Sequence, residues 1–436
     1  MLTIVRRTAS LWWQTWPWLV AIYLVGWLVR FWALQLAVHV GLAYGQLWGS
    51  LILPLAALTR LLTYLAMFMV IRSVASGLRD VVAEKQRPRG VFDVVLSAIL
   101  PFLVIYTAWR LILEDYFVYL TTVDYAAVNQ GATSAELTGS NVGIATWITI
   151  GITFAVRHVI TRFRDRLPSP MLIIAAYLDV VWLYLALKAS LNVLFGSPRW
   201  ISERRVVVWL ADLRDDVLSH FGWLHALWSV TGGAVGLLVP ALGLALAWLA
   251  IAGVVYGTPL PPTWAGARRA FLGHRGGAAA QAAVERGRDT LRPRWQRIPG
   301  GIRSRVTEFA RGLLGRFAPI VDAARLILHG GAVPIAFFVV LYTALVVLAP
   351  AGAYFDKDVT DGYLFRGLAL LFGPHDWWWW QTYEQTIRAG VGALVDPIRV
   401  ALVAATYWYC VDRVRAQRDA EASVRVEPDD RADVAG

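Results

Sequence analysis

The sequence predicts an all-α polytopic membrane protein with about eight transmembrane helices. The chain of 436 residues is 58% hydrophobic and only 16% charged, whereas soluble domains carry roughly 25% charged residues. Several apolar segments approach the ~20 residues that a helix needs to cross a bilayer. Many of the 22 tryptophans lie near the ends of these segments, as expected for amphipathic rings at the headgroup level.

The apolar segments follow one another along most of the chain. The first comes after Arg6 and Arg7 and is too long for the apolar part of a signal peptide, so we expect it to remain as an anchor. Proline interrupts four of the segments, at Pro54, Pro101, Pro240 and Pro397, where it removes a backbone donor and favours a kink. We place the eight spans at residues 19–40, 49–71, 94–113, 143–160, 171–193, 232–256, 331–351 and 387–410.

The distribution of basic residues predicts the orientation of the spans. The loop after the second span holds five Lys or Arg residues, and the loop after the fourth holds three. No Lys or Arg occurs between Arg110 and Arg157. Because cytoplasmic loops are enriched in Lys and Arg, the segment between these two arginines is expected outside. The chain is therefore expected in the cytoplasmic (inner) membrane, multi-pass, with both termini in the cytoplasm.

The two halves of the chain resemble each other in short segments that occur in the same order. Residues 104–108 and 340–344 both end in Tyr-Thr-Ala, in the third and seventh spans. We hypothesise two parallel four-helix repeats, residues 1–170 and 171–410, related about an axis along the membrane normal. The alternative is that apolar segments share Leu, Val and Ala by chance. Residues 411–436 are polar and without periodicity, which predicts a disordered cytoplasmic tail.

Three connecting segments are expected at the membrane surface. Residues 205–228 have the apolar spacing of an external amphipathic helix. The external segment 354–386 contains four consecutive tryptophans, 377–380, which we interpret as an interfacial or re-entrant corner. The third segment is the loop 257–330, which is predicted to be cytoplasmic.

The cytoplasmic loop 257–330 is strongly basic, with thirteen arginines and four acidic residues. Residues 302–320 repeat apolar side chains at three- and four-residue steps, which predicts an amphipathic helix on anionic lipid headgroups. A protein partner bound at this loop is the alternative, and nucleic acid is not expected as a partner. The residues predicted to contact the lipid surface are Arg303, Arg305, Arg311 and Arg316.

Five charged residues lie well inside the predicted spans, where ions are costly and usually face partners or water. Arg30 and Arg60 are central in the first two spans, Asp179 in the fifth, and Asp396 and Arg399 lie three residues apart in the eighth. If Arg30 pairs with Asp179 and Asp396 with Arg399, Arg60 needs a further negative partner. We predict that these residues bind an anionic ligand or a lipid headgroup. The alternative is that they only lock the helices together.

Sequence motifs exclude several function classes. The single cysteine, Cys410, allows no internal disulfide and no thiolate metal cluster. The chain has no phosphate-binding loop, no G-x-S-x-G and no H-E-x-x-H motif, so no catalytic residue, metal or cofactor is predicted. Glu114 and Asp115 form the one adjacent carboxylate pair placed as a membrane enzyme would need. A permease- or channel-like protein is favoured, a non-catalytic membrane scaffold or assembly partner of an envelope complex is the alternative, and an enzyme is less supported.

Overall fold

The computed structural model describes residues 1–75, 102, 111–129, 144–163, 171, 174–175, 177–186, 242–257, 322–349 and 362–426. This part of the chain is helical and contains no strand. Its helices are α1 (Leu2–Tyr44), α2 (Gln46–Ile52), α3 (Pro54–Val74), α4 (Leu111–Asn129), α5 (Ile144–Arg162), α6 (Tyr177–Ala186), α7 (Leu242–Tyr256), α8 (Asp322–His329), α9 (Ala332–Leu348), α10 (Tyr363–Phe372) and α11 (Trp377–Val426).

Three of the described helical stretches are long and apolar enough to cross a membrane: Leu2–Tyr44, Leu47–Val74 and Thr382–Asp419. A fourth is present if α8 and α9, which meet at 106°, are taken as one bent span. These helices are consistent with the predicted all-α membrane protein. The count of eight spans and the four-helix repeat stay predictions. The proposed surface helices 205–228 and 302–320 lie outside the described residues.

The first two spans are joined by a tight corner at Gly45, whose φ of 102° is a backbone conformation that favours glycine. Beyond this corner Gly49 packs directly against α1. A Cβ atom at Gly49 would lie 2.7 Å from the carbonyl oxygen of Ala37 and would also clash with the Tyr119 hydroxyl from α4. The glycines therefore allow α1, α2 and α4 to approach closely at this end of the bundle.

Helices α1 and α11 pack against each other in opposite directions. At one end Arg7 forms an ion pair of 2.6 Å with Asp412 and lies 4.5 Å from the ring centre of Trp408. Further along, the Tyr23 hydroxyl lies against Gly392, where a Cβ atom would clash with it. Because both helices rise equally per residue, this register brings Trp379 of α11 level with about Val38 of α1.

The centre of the bundle is built on α11, α3 and α7. Every residue from Val400 to Tyr407 is buried, which is the pattern of a helix covered on all sides. The Tyr256 hydroxyl of α7 donates a hydrogen bond of 3.2 Å to the Phe68 carbonyl of α3. The Tyr407 hydroxyl donates to the Gly257 carbonyl at 2.7 Å. These tyrosines fix the three helices to one another through the backbone.

Helix α11 continues to Val426, into the segment for which the sequence predicted disorder. Its first turn beyond the apolar core is held by contacts with other elements. Besides the Arg7–Asp412 ion pair, Arg413 donates a hydrogen bond of 2.7 Å to the Gly330 carbonyl. Residues 427–436 lie outside the described part of the chain.

Candidate functional site

Two arginines from neighbouring helices converge on one buried carboxylate. Arg30 of α1 donates to Asp115 Oδ1 of α4 through Nε, at 3.0 Å, and through Nη2. Arg60 of α3 places its Nη2 4.0 Å from the same oxygen. The Asp115 side chain is fully buried, whereas Arg30 and Arg60 keep 15% and 16% of their side-chain surface exposed. The arginines thus form a partly accessible pair around a buried negative charge.

The packing of α1 on α3 explains why the two arginines meet. These helices run in opposite directions, and Gly26 lies against Thr63, where a Cβ atom would clash with the threonine side chain. Arg30 lies four residues after Gly26 and Arg60 lies three residues before Thr63, so the two arginines are at the same level of the antiparallel helices. The close approach at Gly26 therefore sets the geometry of the arginine pair.

A second ionic group lies inside the bundle on α11. Arg399 Nη1 is 2.5 Å from Asp396 Oδ1, one helical turn away, and the Tyr64 hydroxyl donates to Asp396 Oδ2 at 3.2 Å. Arg399 Nη2 donates to the carbonyl oxygens of Leu345, at 3.0 Å, and Ala349. Leu345 lies in the last turn of α9 and Ala349 is its C-cap residue, and carbonyls at this end of a helix favour a positive charge.

Tyr64 of α3 connects the two ionic groups, because it lies one helical turn from Arg60 and donates its hydrogen bond to Asp396. The Tyr23 hydroxyl of α1 lies against Gly392 of α11, one helical turn before Asp396. The two groups therefore belong to one polar region within an apolar bundle. We call it the polar site and define it by Tyr23, Arg30, Arg60, Tyr64, Asp115, Asp396 and Arg399.

The structure brings four of the five predicted charged residues together and places the fifth elsewhere. The predicted Asp396–Arg399 pair is confirmed. The conditional pairing of Arg30 with Asp179 is wrong, because Arg30 binds Asp115. Asp179 of α6 instead lies 2.7 Å from Arg157 Nε of α5.

The surroundings of Asp179 explain this separate pairing. Trp182 donates a hydrogen bond of 3.0 Å to Asp179, and the Trp182 ring packs edge-on against Phe154 of α5. The Arg157–Asp179 ion pair therefore belongs to the contact between α5 and α6. This ion pair joins α5 to α6, and none of its contacts given above involves a residue of the polar site.

The sequence did not predict Asp115, Tyr23 or Tyr64 as residues of this site, and it singled out Asp115 only as half of a carboxylate pair with Glu114. Asp115 was placed at the outer end of a span ending at residue 113, whereas α4 runs from Leu111 to Asn129. The apolar and aromatic residues from Tyr116 to Leu120 were the available signal that the helix continues. The tyrosines gave no signal, because a Tyr in an apolar helix is usually a core or interfacial residue.

The chemistry of the polar site is recognition of charge. Each guanidinium offers five N–H donors in a planar fork, and one carboxylate offers two oxygens, so the arginine pair has the donor capacity to bind an anion beside Asp115. Within the described residues no group of three or more His, Cys, Asp or Glu side chains could hold a metal ion. The predicted lipid-contacting residues Arg303, Arg305, Arg311 and Arg316 lie outside the described residues.

Comparisons with known proteins add no family to these observations: no protein-family model matches the chain, and neither curated proteins nor solved structures gave a match.

Proposed function

We propose that the protein is permease- or channel-like and binds an anionic ligand, a small anion or a lipid headgroup, at the polar site. The observation that carries this proposal is the convergence of Arg30 and Arg60 on Asp115 inside an apolar helix bundle. Charged groups in membrane helices are rare and commonly mark ligand or ion pathways. The partial exposure of both arginine side chains gives a ligand a route to their donors.

The charge of the arginine pair favours an anion over a cation. Arg30, Arg60 and Asp115 together carry two positive charges and one negative charge. An incoming carboxylate, phosphate or headgroup would form charge-assisted hydrogen bonds with the guanidinium forks, which are short and strong. Arginine suits such planar recognition better than lysine does.

The cost of burying ions also supports a functional role. A buried ion pair is often no more stabilising than well-packed apolar residues of the same volume. Two adjacent ionic groups are therefore an inefficient means of holding helices together. A ligand-binding role gives a reason for placing them next to each other within the bundle.

A non-catalytic membrane scaffold is the second candidate function, and a specific observation favours it. Asp115, Asp179 and Asp396 each contact an arginine of the same chain. If these ion pairs only fix which helices meet and in what register, the bundle needs no ligand. The exposed ends of the helices would then serve partners in an envelope complex.

Anion flux separates the two functions. The purified protein is reconstituted in liposomes, and efflux of chloride and of phosphate is followed with and without an imposed membrane potential. We expect flux of at least one anion, its loss in Arg60→Leu, and its retention in Arg6→Leu, which removes an exposed arginine of α1 outside the polar site. Absence of flux from folded wild-type protein would favour the scaffold.

A further inference from the structure

Helix α9 runs along α11 in the opposite direction and ends partway through the bundle. At its start, Gly330 packs on Cys410, where a Cβ atom would lie 2.5 Å from the Sγ atom. At its end, Ala349 has an extended backbone, with φ −142° and ψ 103°, and its carbonyl accepts the hydrogen bond from Arg399. The helix therefore stops at the level of the polar site.

Helix α10 continues in the same direction along the next turns of α11. At its beginning, Leu364 and Leu368 pack in one apolar cluster with Ala349, Val391 and Val395. At its end, the Phe372 ring is 5.9 Å from the Trp379 ring. The contacts of α10 thus begin where those of α9 end and follow α11 back towards its first residue.

The lengths of the two helices are informative. Helix α9 has 17 residues and is about 26 Å long, which is less than the ~30 Å thickness of a bilayer core. Helix α8 leaves it at 106°, so α8 cannot extend it along the bundle. The 10 residues of α10 add about 15 Å in the required direction.

The outer face of α10 is apolar and uncovered. Leu370 and Leu371 are 86% and 77% exposed. Phe365 and Phe372 lie seven residues apart on the opposite face, where Phe365 is buried and lies 4.6 Å from the Arg388 guanidinium of α11. Helix α10 therefore packs on α11 with one face and presents large apolar side chains on the other.

The level of this apolar face agrees with the position of the nearby helix corner. The register of α1 on α11 places Trp379 near Val38, seven residues before the Gly45 corner. At this end of the bundle Tyr44, Trp48 and Trp378 are all more than half exposed. Exposed aromatic rings at one level are typical of a membrane–water interface. We therefore place the end of α10 near the boundary between acyl chains and headgroups.

We propose that α9 and α10 are the two halves of one discontinuous membrane crossing, and that Leu370 and Leu371 contact lipid acyl chains in the leaflet at the Gly45 end of the bundle. The predicted external segment 354–386 is then partly inside the membrane. The end of α9 lies beside Arg399, so the discontinuity adjoins the polar site. Discontinuous helices of this kind line ligand sites in transporters.

Site-directed fluorescence tests the proposal without reference to any ligand. In a Cys410→Ala background, single cysteines at Leu371, Val340 and Asp419 are labelled with an environment-sensitive fluorophore, and the protein is reconstituted in vesicles. Val340 of α9 is 65% exposed within the apolar part of the bundle and serves as the lipid-facing reference. Asp419 is an exposed position near the end of α11 and serves as the aqueous reference.

We expect the probe at Leu371 to emit at short wavelength and to be quenched by spin-labelled acyl chains, as at Val340 and several-fold more than at Asp419. Quenching by aqueous iodide as strong as at Asp419 overturns the proposal. Protection of the Leu371 probe from both quenchers overturns the proposal as well, because this would indicate that protein covers the probe. If Cys410→Ala misfolds, Cys410→Val replaces it as the background, and Leu370 replaces Leu371 as the labelled position. None of these results bears on anion flux.

Discussion

Replacement of Arg30 by leucine should destabilise the protein much more than the same replacement of Arg60. Arg30 donates two hydrogen bonds to Asp115, whose side chain is fully buried. Removing the partner of a buried charge costs about 3–5 kcal/mol. Arg60 remains 4.0 Å from Asp115 in this variant, which places the expected loss near the lower end, at about 3 kcal/mol.

The Arg60–Asp115 contact is expected to contribute about 1 kcal/mol or less. Arg30 continues to neutralise Asp115 in Arg60→Leu, and the contact with Asp115 that disappears is longer than a hydrogen bond. For a chain as long as this one, a loss of 1 kcal/mol in the free energy of unfolding lowers the unfolding midpoint by roughly 2 °C. We therefore expect the loss of the contact with Asp115 to lower the midpoint by about 6 °C in Arg30→Leu and by no more than about 2 °C in Arg60→Leu.

The assay is thermal unfolding of the purified protein in detergent, followed by tryptophan fluorescence. A double-mutant cycle with Asp115→Leu isolates the pairwise energy from the general effect of each substitution. Arg30→Leu with Asp115→Leu should recover most of the stability, because the fully buried carboxylate is then removed together with Arg30. Equal midpoints for Arg30→Leu and Arg60→Leu would refute the reasoning, as would a double variant no more stable than Arg30→Leu.

Three further predictions concern other parts of the bundle. Gly49→Ala should lower stability by about 1–3 kcal/mol because its Cβ would lie 2.7 Å from the Ala37 carbonyl, whereas Gly151→Ala on the open face of α5 should be neutral or slightly stabilising in the same unfolding assay. Arg399→Met should be more destabilising than Arg388→Met, since only the former removes the arginine partner of a nearly fully buried carboxylate, Asp396. Similar unfolding midpoints for the two variants would contradict this. In a Cys410→Ala protein, a single cysteine placed at Asn129 should react with an impermeant maleimide in intact cells, and one placed at Ala279 should not; the reverse pattern would overturn the predicted orientation.

The polar site shows which parts of such a site can be predicted from sequence. Asp396 and Arg399 lie one helical turn apart on the same helix, so their pairing follows from local geometry. The central positions of Arg30 and Arg60 were likewise readable from the apolar segments around them. Pairing between helices was not, because it depends on which helices are neighbours and in what register they pack. Arg30 meets Asp115 and not Asp179 for this reason.

Helix lengths were the second limit of the sequence. Asp115 was placed at the end of a span because apolar character was taken to stop at residue 113, and the continuation of α4 to Asn129 was missed. Similarly, residues 363–372 were assigned to an external segment because they lie between the seventh and eighth predicted spans. Their packing on Val391 and Val395 is a tertiary contact that periodicity does not reveal.

The most direct test of the central claim, that the polar site binds an anion through Arg60, is the effect of anions on thermal unfolding. Sodium phosphate and vesicle-derived phosphatidylglycerol are each added to wild-type protein, Arg60→Lys, Arg60→Leu and Arg6→Leu, with phosphatidylcholine as the neutral lipid. We predict that at least one anion stabilises the wild type and Arg6→Leu, stabilises Arg60→Lys less, and has no effect on Arg60→Leu. Equal stabilisation of Arg60→Leu and wild type, or no stabilisation of the wild type by either anion, would contradict the account.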